Sequence, residues 1–162
     1  MTKTKYVIYA AVIGAIYFVL TYAVAPLSSG LLQCRISEAL CILPYFTPAA
    51  VPGLFVGCLT ANLLMGSPIY DVIFGSAATL FAAVLTRRIA QQFPNPGARW
   101  LIPAPAVLIN ALVVGWLLAN IYEVGASYWV CAAYVALGQI GACYVLGMPL
   151  LFLLERYKDK LF

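Results

Sequence analysis

Charged residues are absent from long stretches of this sequence. The chain has 9 basic and 5 acidic residues, and ten of these fourteen lie in three short clusters. The clusters are Lys3 and Lys5; Arg87, Arg88 and Arg99; and Glu155, Arg156, Lys158, Asp159 and Lys160. Apolar residues make up 65% of the chain, and the mean hydropathy is +0.99. The sequence therefore predicts membrane-spanning α-helices, because a helix satisfies its own backbone hydrogen bonds in lipid.

Composition limits the domain organisation and the chemistry. With 162 residues and no polar half, residues 1–162 are expected to form a single membrane-embedded domain. No GxxxxGK[ST] run occurs, so we expect no ATP hydrolysis by this chain itself. It has no histidine and no CxxC pair, and we therefore expect no metal site and no cofactor. The basic residues lie at the ends of apolar segments, which indicates membrane topology rather than nucleic-acid binding.

Apolar runs long enough to cross a bilayer occur at 6–27, 69–90, 101–121 and 127–153. The stretch 36–64 is ambiguous, because it fits one long helix or two short ones. Proline interrupts the helical hydrogen-bond ladder. Three prolines at intervals of four, Pro44, Pro48 and Pro52, favour two short helices that meet near them.

The distribution of charge favours one topology over the other. With six helices and the N-terminus inside, eight of the nine basic residues are cytoplasmic and only Arg35 is outside. With five helices and the N-terminus outside, seven are cytoplasmic. We therefore predict an all-α, six-helix, multi-pass protein of the cell membrane with both termini in the cytoplasm.

Four charged residues stand apart from the clusters: Arg35, Glu38, Asp71 and Glu123. An ionisable side chain deep in lipid costs about 2.5–3.5 kcal/mol, so it indicates a partner or a function. The six-helix topology places all four toward the outer face, near three loops at 28–35, 66–70 and 122–126. One arginine cannot neutralise three carboxylates, and we expect an acidic pocket that suits a small cationic ligand or one with several N–H donors.

Polar amides accompany these charges. Asn62 is predicted near the outer end, and Asn110 and Gln139 deeper in the fifth and sixth helices. The alternative interpretation is structural, in which the amides hold the bundle together and Glu38 and Asp71 form ion pairs with Arg35.

Small residues lie four apart on the first helix, at Ala11 and Ala15. This spacing allows another helix to approach closely, either within the chain or from a partner.

Three strings carry a resemblance to a known family. They are QCRISEAL at 33–40, AAVPGLFVGC at 49–58 and DVIFGSAATL at 71–80. Across roughly residues 30–85 the sequence resembles the QueT family, the substrate-binding S-components of energy-coupling-factor (ECF) transporters for queuosine precursors. The length and the helix count of the whole chain agree with this family.

The resemblance implies a six-helix fold with an outward-facing site capped by the first, third and fifth loops. It implies partners as well: one transmembrane coupling subunit and two ATPase subunits. Ala11 and Ala15 match the AxxxA motif with which S-components dock on the coupling subunit. The substrate implied is a deazaguanine base, in its aminomethyl form pre-queuosine (preQ1).

The chemistry of such a ligand fits the isolated polar residues. A carboxylate accepts the two adjacent N–H donors of a guanine-like edge, and a second carboxylate suits the aminomethyl cation. Glu38 and Asp71 are the expected pair, in either order. Asn62, Asn110 and Gln139 are expected on the remaining ring edge, and Arg35 beside a carboxylate or the carbonyl oxygen.

Other functions compete with this one. The same fold type suits an S-component for another vitamin or nucleobase. A small intramembrane enzyme is a different class: Tyr70-Asp71 resembles the YD of intramembrane aspartyl proteases, but the sequence has no GxGD partner. A self-assembling channel is the third alternative, and it would conduct without saturable ligand binding.

Overall fold

The computed structural model describes residues 2–24 and 35–158, and these ranges contain helices and no β-strand. Six helical segments are labelled α1–α6 here. They are α1 Lys3–Ala23, α2 Ile36–Tyr45, α3 Ala50–Leu64, α4 Asp71–Gln92, α5 Pro96–Asn120 and α6 Tyr128–Arg156. The predicted outer loop at 28–35 lies outside the described residues, except for its last position.

The long apolar helices occur where the sequence predicts them. By length and composition α1, α4, α5 and α6 are able to cross a membrane. The ambiguous stretch folds as two short helices, α2 and α3, which meet around Pro48, so the prediction of two short helices is confirmed. Whether each short helix crosses the bilayer remains a prediction.

The second helix is unusual because all ten of its residues have 3₁₀ geometry. Its residues 37–44 are buried, and it packs against α1, α3, α4 and α6. A 3₁₀ helix is narrower than an α-helix and rises about 2 Å per residue, so α2 spans about 20 Å. This thin apolar helix fills the centre of the bundle and carries Glu38 into it.

Glycines allow α1 and α3 to approach closely. A Cβ atom added at Gly57 would lie 2.8 Å from the carbonyl oxygen of Gly14, and one at Gly53 would lie 2.7 Å from the carbonyl oxygen of Ala10. The helix face with Ala10 and Gly14 is therefore occupied by α3. Ala11 and Ala15 point away from this contact and are exposed.

One end of the bundle is held together by polar contacts among four helices. Arg87 Nη1 on α4 donates to the carbonyl oxygens of Pro44 (3.1 Å) and Tyr45 (3.2 Å) at the end of α2. Arg99 Nε on α5 lies 2.9 Å from Glu155 Oε1 on α6, which also accepts a 3.0 Å hydrogen bond from Tyr45 Oη. We call this the basic end; it is the end predicted to face the cytoplasm.

Candidate functional site

Glu38 is the centre of a buried polar cluster toward the opposite end. Its side chain is 4% exposed. Its Oε1 accepts a 2.5 Å hydrogen bond from Tyr17 Oη on α1, and its Oε2 accepts one of 3.4 Å from Asn110 Nδ2 on α5. A carboxylate buried without donors is very costly, so both donors stabilise it. Three helices thus converge on one carboxylate.

A cavity opens on one side of Glu38. Its lining is mainly polar and comes from α2, α4, α5 and α6, together with Arg35. The lining residues are Arg35, Glu38, Asp71, Gly75, Thr79, Asn110, Val114 and Gln139. The structure therefore brings together five of the six residues predicted to bind substrate. Gln139 is buried, as its spacing from Ala132 and Val135 predicts.

The cavity is small in this conformation. Its volume of about 20 Å³ has room for one or two water molecules. A second cavity of about 10 Å³ also borders Glu38 and Thr79 and includes Tyr17 in its lining. A planar base needs more space than either, so the cavity walls must separate before a molecule of that size enters.

Asn62, the sixth predicted residue, does not line the cavity. Its side chain is 1% exposed, and its Nδ2 donates to the backbone carbonyl oxygen of Asp71 (3.2 Å) and to Cys58 Sγ (3.5 Å). The Asn62 amide therefore stabilises the first turn of α4 without facing the cavity. In this position Asn62 acts on the site through Asp71.

Asp71 begins α4 in a π-helical turn, Asp71–Gly75. Such turns are rare and are often found at functional sites. Tyr122, in the loop after α5, lies beside the Asp71 carboxylate. Burial of Tyr122, together with this negative charge, raises the pKa of Tyr122 to about 12. Its hydroxyl nevertheless makes no hydrogen bond of standard geometry with a described residue.

Unsatisfied polar atoms concentrate around this cavity. Within residues 2–24 and 35–158, four buried side-chain atoms lack a hydrogen-bond partner: Arg35 Nε, Ser76 Oγ, Tyr122 Oη and Arg87 Nε. The first lines the cavity, the second follows Gly75 on its wall, and the third adjoins Asp71. Buried polar atoms are almost always paired. The unpaired Arg35 Nε on the cavity wall is typical of a site that hydrogen-bonds to a ligand.

The charges in the cavity do not form close ion pairs. In the described part of the chain, the one ion pair within 4.0 Å joins Arg99 to Glu155 at the basic end. Arg35 therefore makes no such pair with Glu38 or Asp71, contrary to the structural alternative. The third predicted carboxylate, Glu123, does not line the cavity and is exposed. The pocket thus has two carboxylates and one guanidinium, with a formal charge of −1.

Sequence reasoning missed Tyr17 and Thr79. Tyr17 is 1% exposed in the middle of an apolar helix, where its hydroxyl must find a buried partner. The need of this hydroxyl for a buried partner was the signal in the sequence that could have identified Tyr17. Thr79 borders both cavities, and its hydroxyl contacts Cys58 Sγ and the carbonyl oxygen of Gly75.

Together these features define an all-helical, multi-pass membrane protein with a buried polar cavity near one end of the bundle. The family model described as "QueT transporter" matches residues 7–156, and the chain belongs to this family. The family resemblance read from the sequence is thereby confirmed, and membership indicates a transporter rather than an enzyme. No curated protein and no solved structure matches the chain.

Proposed function

We propose that this chain is the substrate-binding subunit (S-component) of an ECF-type transporter and that it binds pre-queuosine, the aminomethyl-deazaguanine precursor of queuosine. The observation that carries the proposal is the composition of the cavity. It combines a deeply buried carboxylate, a second carboxylate nearer the surface and an arginine Nε that has no hydrogen-bond partner among the described residues. Pre-queuosine offers the matching groups: two adjacent N–H donors, a cation and a carbonyl oxygen.

Glu38 is the proposed partner of the guanine-like edge. Both of its oxygens already accept one hydrogen bond, so their positions are fixed before a ligand arrives. Tyr17 lines the second cavity and not the first, and it therefore fixes Glu38 without facing the proposed binding site. The contact from Asn110 is long, at 3.4 Å, and its amide lies on the wall where the ligand would bind. Ring N–H donors would displace this weak contact or add to it.

Asp71 is the proposed partner of the aminomethyl cation. Its side chain is only partly buried, whereas Glu38 is almost completely buried. An ammonium group is compact and strongly hydrated. It is therefore less costly to place it at the partly hydrated carboxylate than at the deep one. Tyr122, beside Asp71, would lie next to the same group.

Arg35 is the proposed partner of the carbonyl oxygen, because its Nε is a buried donor with no acceptor within residues 2–24 and 35–158. Asn110 and Gln139 are the proposed partners of the remaining ring edge. Gln139 Oε1 lies 3.4 Å from Cys143 Sγ, a weak hydrogen-bond contact. Asn62 supports Asp71 and does not touch the ligand in this arrangement.

The proposed partners are one transmembrane coupling subunit and two ATPases, since this chain has no P-loop of its own. Ala11 and Ala15 are exposed on α1, on a different side from the glycine contact with α3. Small side chains let a second helix approach closely. We therefore propose this face for docking on the coupling subunit.

Calorimetry on the purified chain tests the function. Saturable binding of pre-queuosine is expected, with weaker binding of the same base without its aminomethyl group. Mass spectrometry of the purified protein should find a deazaguanine travelling with it. A different vitamin or nucleobase in its place, with no saturable binding of either deazaguanine, would contradict the proposal and favour an S-component of other specificity.

A further inference from the structure

An open groove lies on the surface of the basic end, between the start of α5 and the end of α6. Its volume is about 480 Å³. It is lined by three basic residues, one acidic residue and one aromatic residue: Arg99, Arg156, Lys158, Glu155 and Phe152. None of these residues belongs to the cavity around Glu38, which lies toward the other end of the bundle.

The groove has an excess of positive charge. Among the described residues its one carboxylate is Glu155, which is already occupied, because Oε1 contacts both Arg99 Nε (2.9 Å) and Tyr45 Oη (3.0 Å). Arg156 and Lys158 are exposed, and neither forms an ion pair within 4.0 Å with a described residue. Two positive charges therefore remain for an external anion.

Two exposed aromatic rings lie next to these charges. Phe152 lines the groove and is 38% exposed, and Trp100 is 57% exposed. Their rings pack edge to face with centroids 6.4 Å apart. The backbone of Trp100 is also held, because its carbonyl oxygen accepts a 3.0 Å hydrogen bond from Tyr144 Oη. In membrane proteins exposed tryptophans mark the headgroup level of the bilayer.

We propose that this groove binds the phosphate of an anionic membrane lipid. Arg156 and Lys158 contact the phosphate, and Trp100 and Phe152 contact the first carbons of the acyl chains. Basic pockets beside transmembrane helices bind lipid headgroups in this way. The aromatic pair favours a lipid over free phosphate, because a lipid offers an apolar group next to its anion, and the exposed Trp100 places the groove at the level of the lipid headgroups. This inference depends on the chain lying in a membrane, but it does not depend on the proposed substrate.

The probe is phosphatidylglycerol, compared with phosphatidylcholine, on the detergent-purified full chain. Native mass spectrometry counts the lipid molecules that remain bound. Arg156→Gln and Lys158→Gln should each reduce retention of phosphatidylglycerol about fivefold, the effect of one basic contact to an anionic headgroup. Phe152→Ala should reduce it as well, without any change of charge. Inorganic phosphate at equal concentration should not displace the lipid.

Arg88→Gln is the matched control. Arg88 is exposed near the same end, at the end of α4, but does not line the groove. It should change retention by less than about twofold, as expected for an isolated surface charge. Equal losses for Arg88→Gln and the groove variants would overturn the proposal in favour of general attraction. Equal retention of phosphatidylcholine, or full displacement by inorganic phosphate, would overturn it too. Unchanged retention with lost assembly would instead indicate an acidic protein partner.

Discussion

Tyr17 on α1 donates a 2.5 Å hydrogen bond to Glu38 on α2, and both side chains are almost completely buried. This bond joins the wall of the cavity to the helix that carries the exposed Ala11 and Ala15. The backbone next to Tyr17 is fixed as well, because Gly14 and Gly57 are in close contact. A displacement of Glu38 would therefore be transmitted directly to α1.

Replacing Tyr17 by phenylalanine tests the importance of this bond. Tyr17→Phe leaves one oxygen of a buried carboxylate without its donor, which should lower the free energy of unfolding by about 1–3 kcal/mol. Thermal unfolding in detergent measures the change. Tyr22→Phe is the matched control, since Tyr22 is an exposed residue of the same helix. Equal stability of both variants would contradict the role assigned to the bond.

The same substitution should weaken binding of pre-queuosine, because Tyr17 fixes Glu38 without facing the proposed binding site. Calorimetry on Tyr17→Phe, at a temperature where the variant remains folded, gives the affinity. Tighter binding would show instead that the tyrosine hydroxyl competes with the ligand for Glu38.

The exposed face of α1 should matter for transport and not for binding. Replacing Ala11 or Ala15 by leucine places a larger side chain on the exposed face of α1, where the coupling subunit is proposed to dock. Uptake by cells that express the whole transporter should be lost, and calorimetric affinity of the isolated chain should be unchanged. Loss of affinity with assembly preserved would place this face in the ligand site.

Gly57→Ala separates docking from packing within the chain. Its added Cβ would meet the carbonyl oxygen of Gly14 at 2.8 Å. It should therefore destabilise the fold by about 1–3 kcal/mol, as overpacking generally does. The Ala11 and Ala15 variants should retain the stability of the parent chain.

The topology predicts that the basic end is cytoplasmic. Gly97→Cys and Val124→Cys place single thiols near opposite ends of α5, the first in its first turn and the second in the loop that follows it, in a background without the other cysteines. Gly97 has open space for a side chain, and Val124 avoids the positive φ of Gly125. An impermeant maleimide added to intact cells should label position 124 and spare position 97. The reverse pattern would invert the topology.

The sequence predicts the position of a residue along the bundle better than it predicts rotation about a helix axis. Arg35, Glu38 and Asp71 were assigned to one end from the alternation of helices, and the structure places them around one cavity. Asn62 and Glu123 were assigned to the same end. The side chain of Asn62, however, turns behind Asp71, and Glu123 lies in an exposed loop. Hydropathy and charge fix the order of segments, but neighbouring helices determine which way each side chain faces.

The geometry of α2 and of the π-turn at the start of α4 could not be predicted for a related reason. Local propensity gives no signal for a ten-residue 3₁₀ helix, which is uncommon at that length. It is stable here because four helices surround it. The π-turn at Asp71–Gly75 likewise depends on a tertiary contact, the hydrogen bond from Asn62 to the carbonyl oxygen of Asp71.

The two carboxylates of the cavity should contribute differently to ligand recognition. Glu38→Gln and Asp71→Asn should each weaken binding of pre-queuosine about tenfold or more, equivalent to about 1.4 kcal/mol. A neutral amide loses the negative charge and replaces one acceptor by an N–H group, opposite a ligand that also presents N–H groups. Glu123→Gln is the matched control, because that carboxylate is exposed and does not line the cavity.

A deazaguanine without the aminomethyl group separates the two roles. With this ligand Asp71→Asn should cause little further loss, because the cation that Asp71 binds is missing. Glu38→Gln should weaken its binding as much as it weakens binding of pre-queuosine, because the ring edge is unchanged. The opposite pattern would exchange the two assignments. Unchanged affinity in both variants, with Glu123→Gln also unchanged, would mean that Glu38 and Asp71 stabilise the bundle and do not contact the ligand.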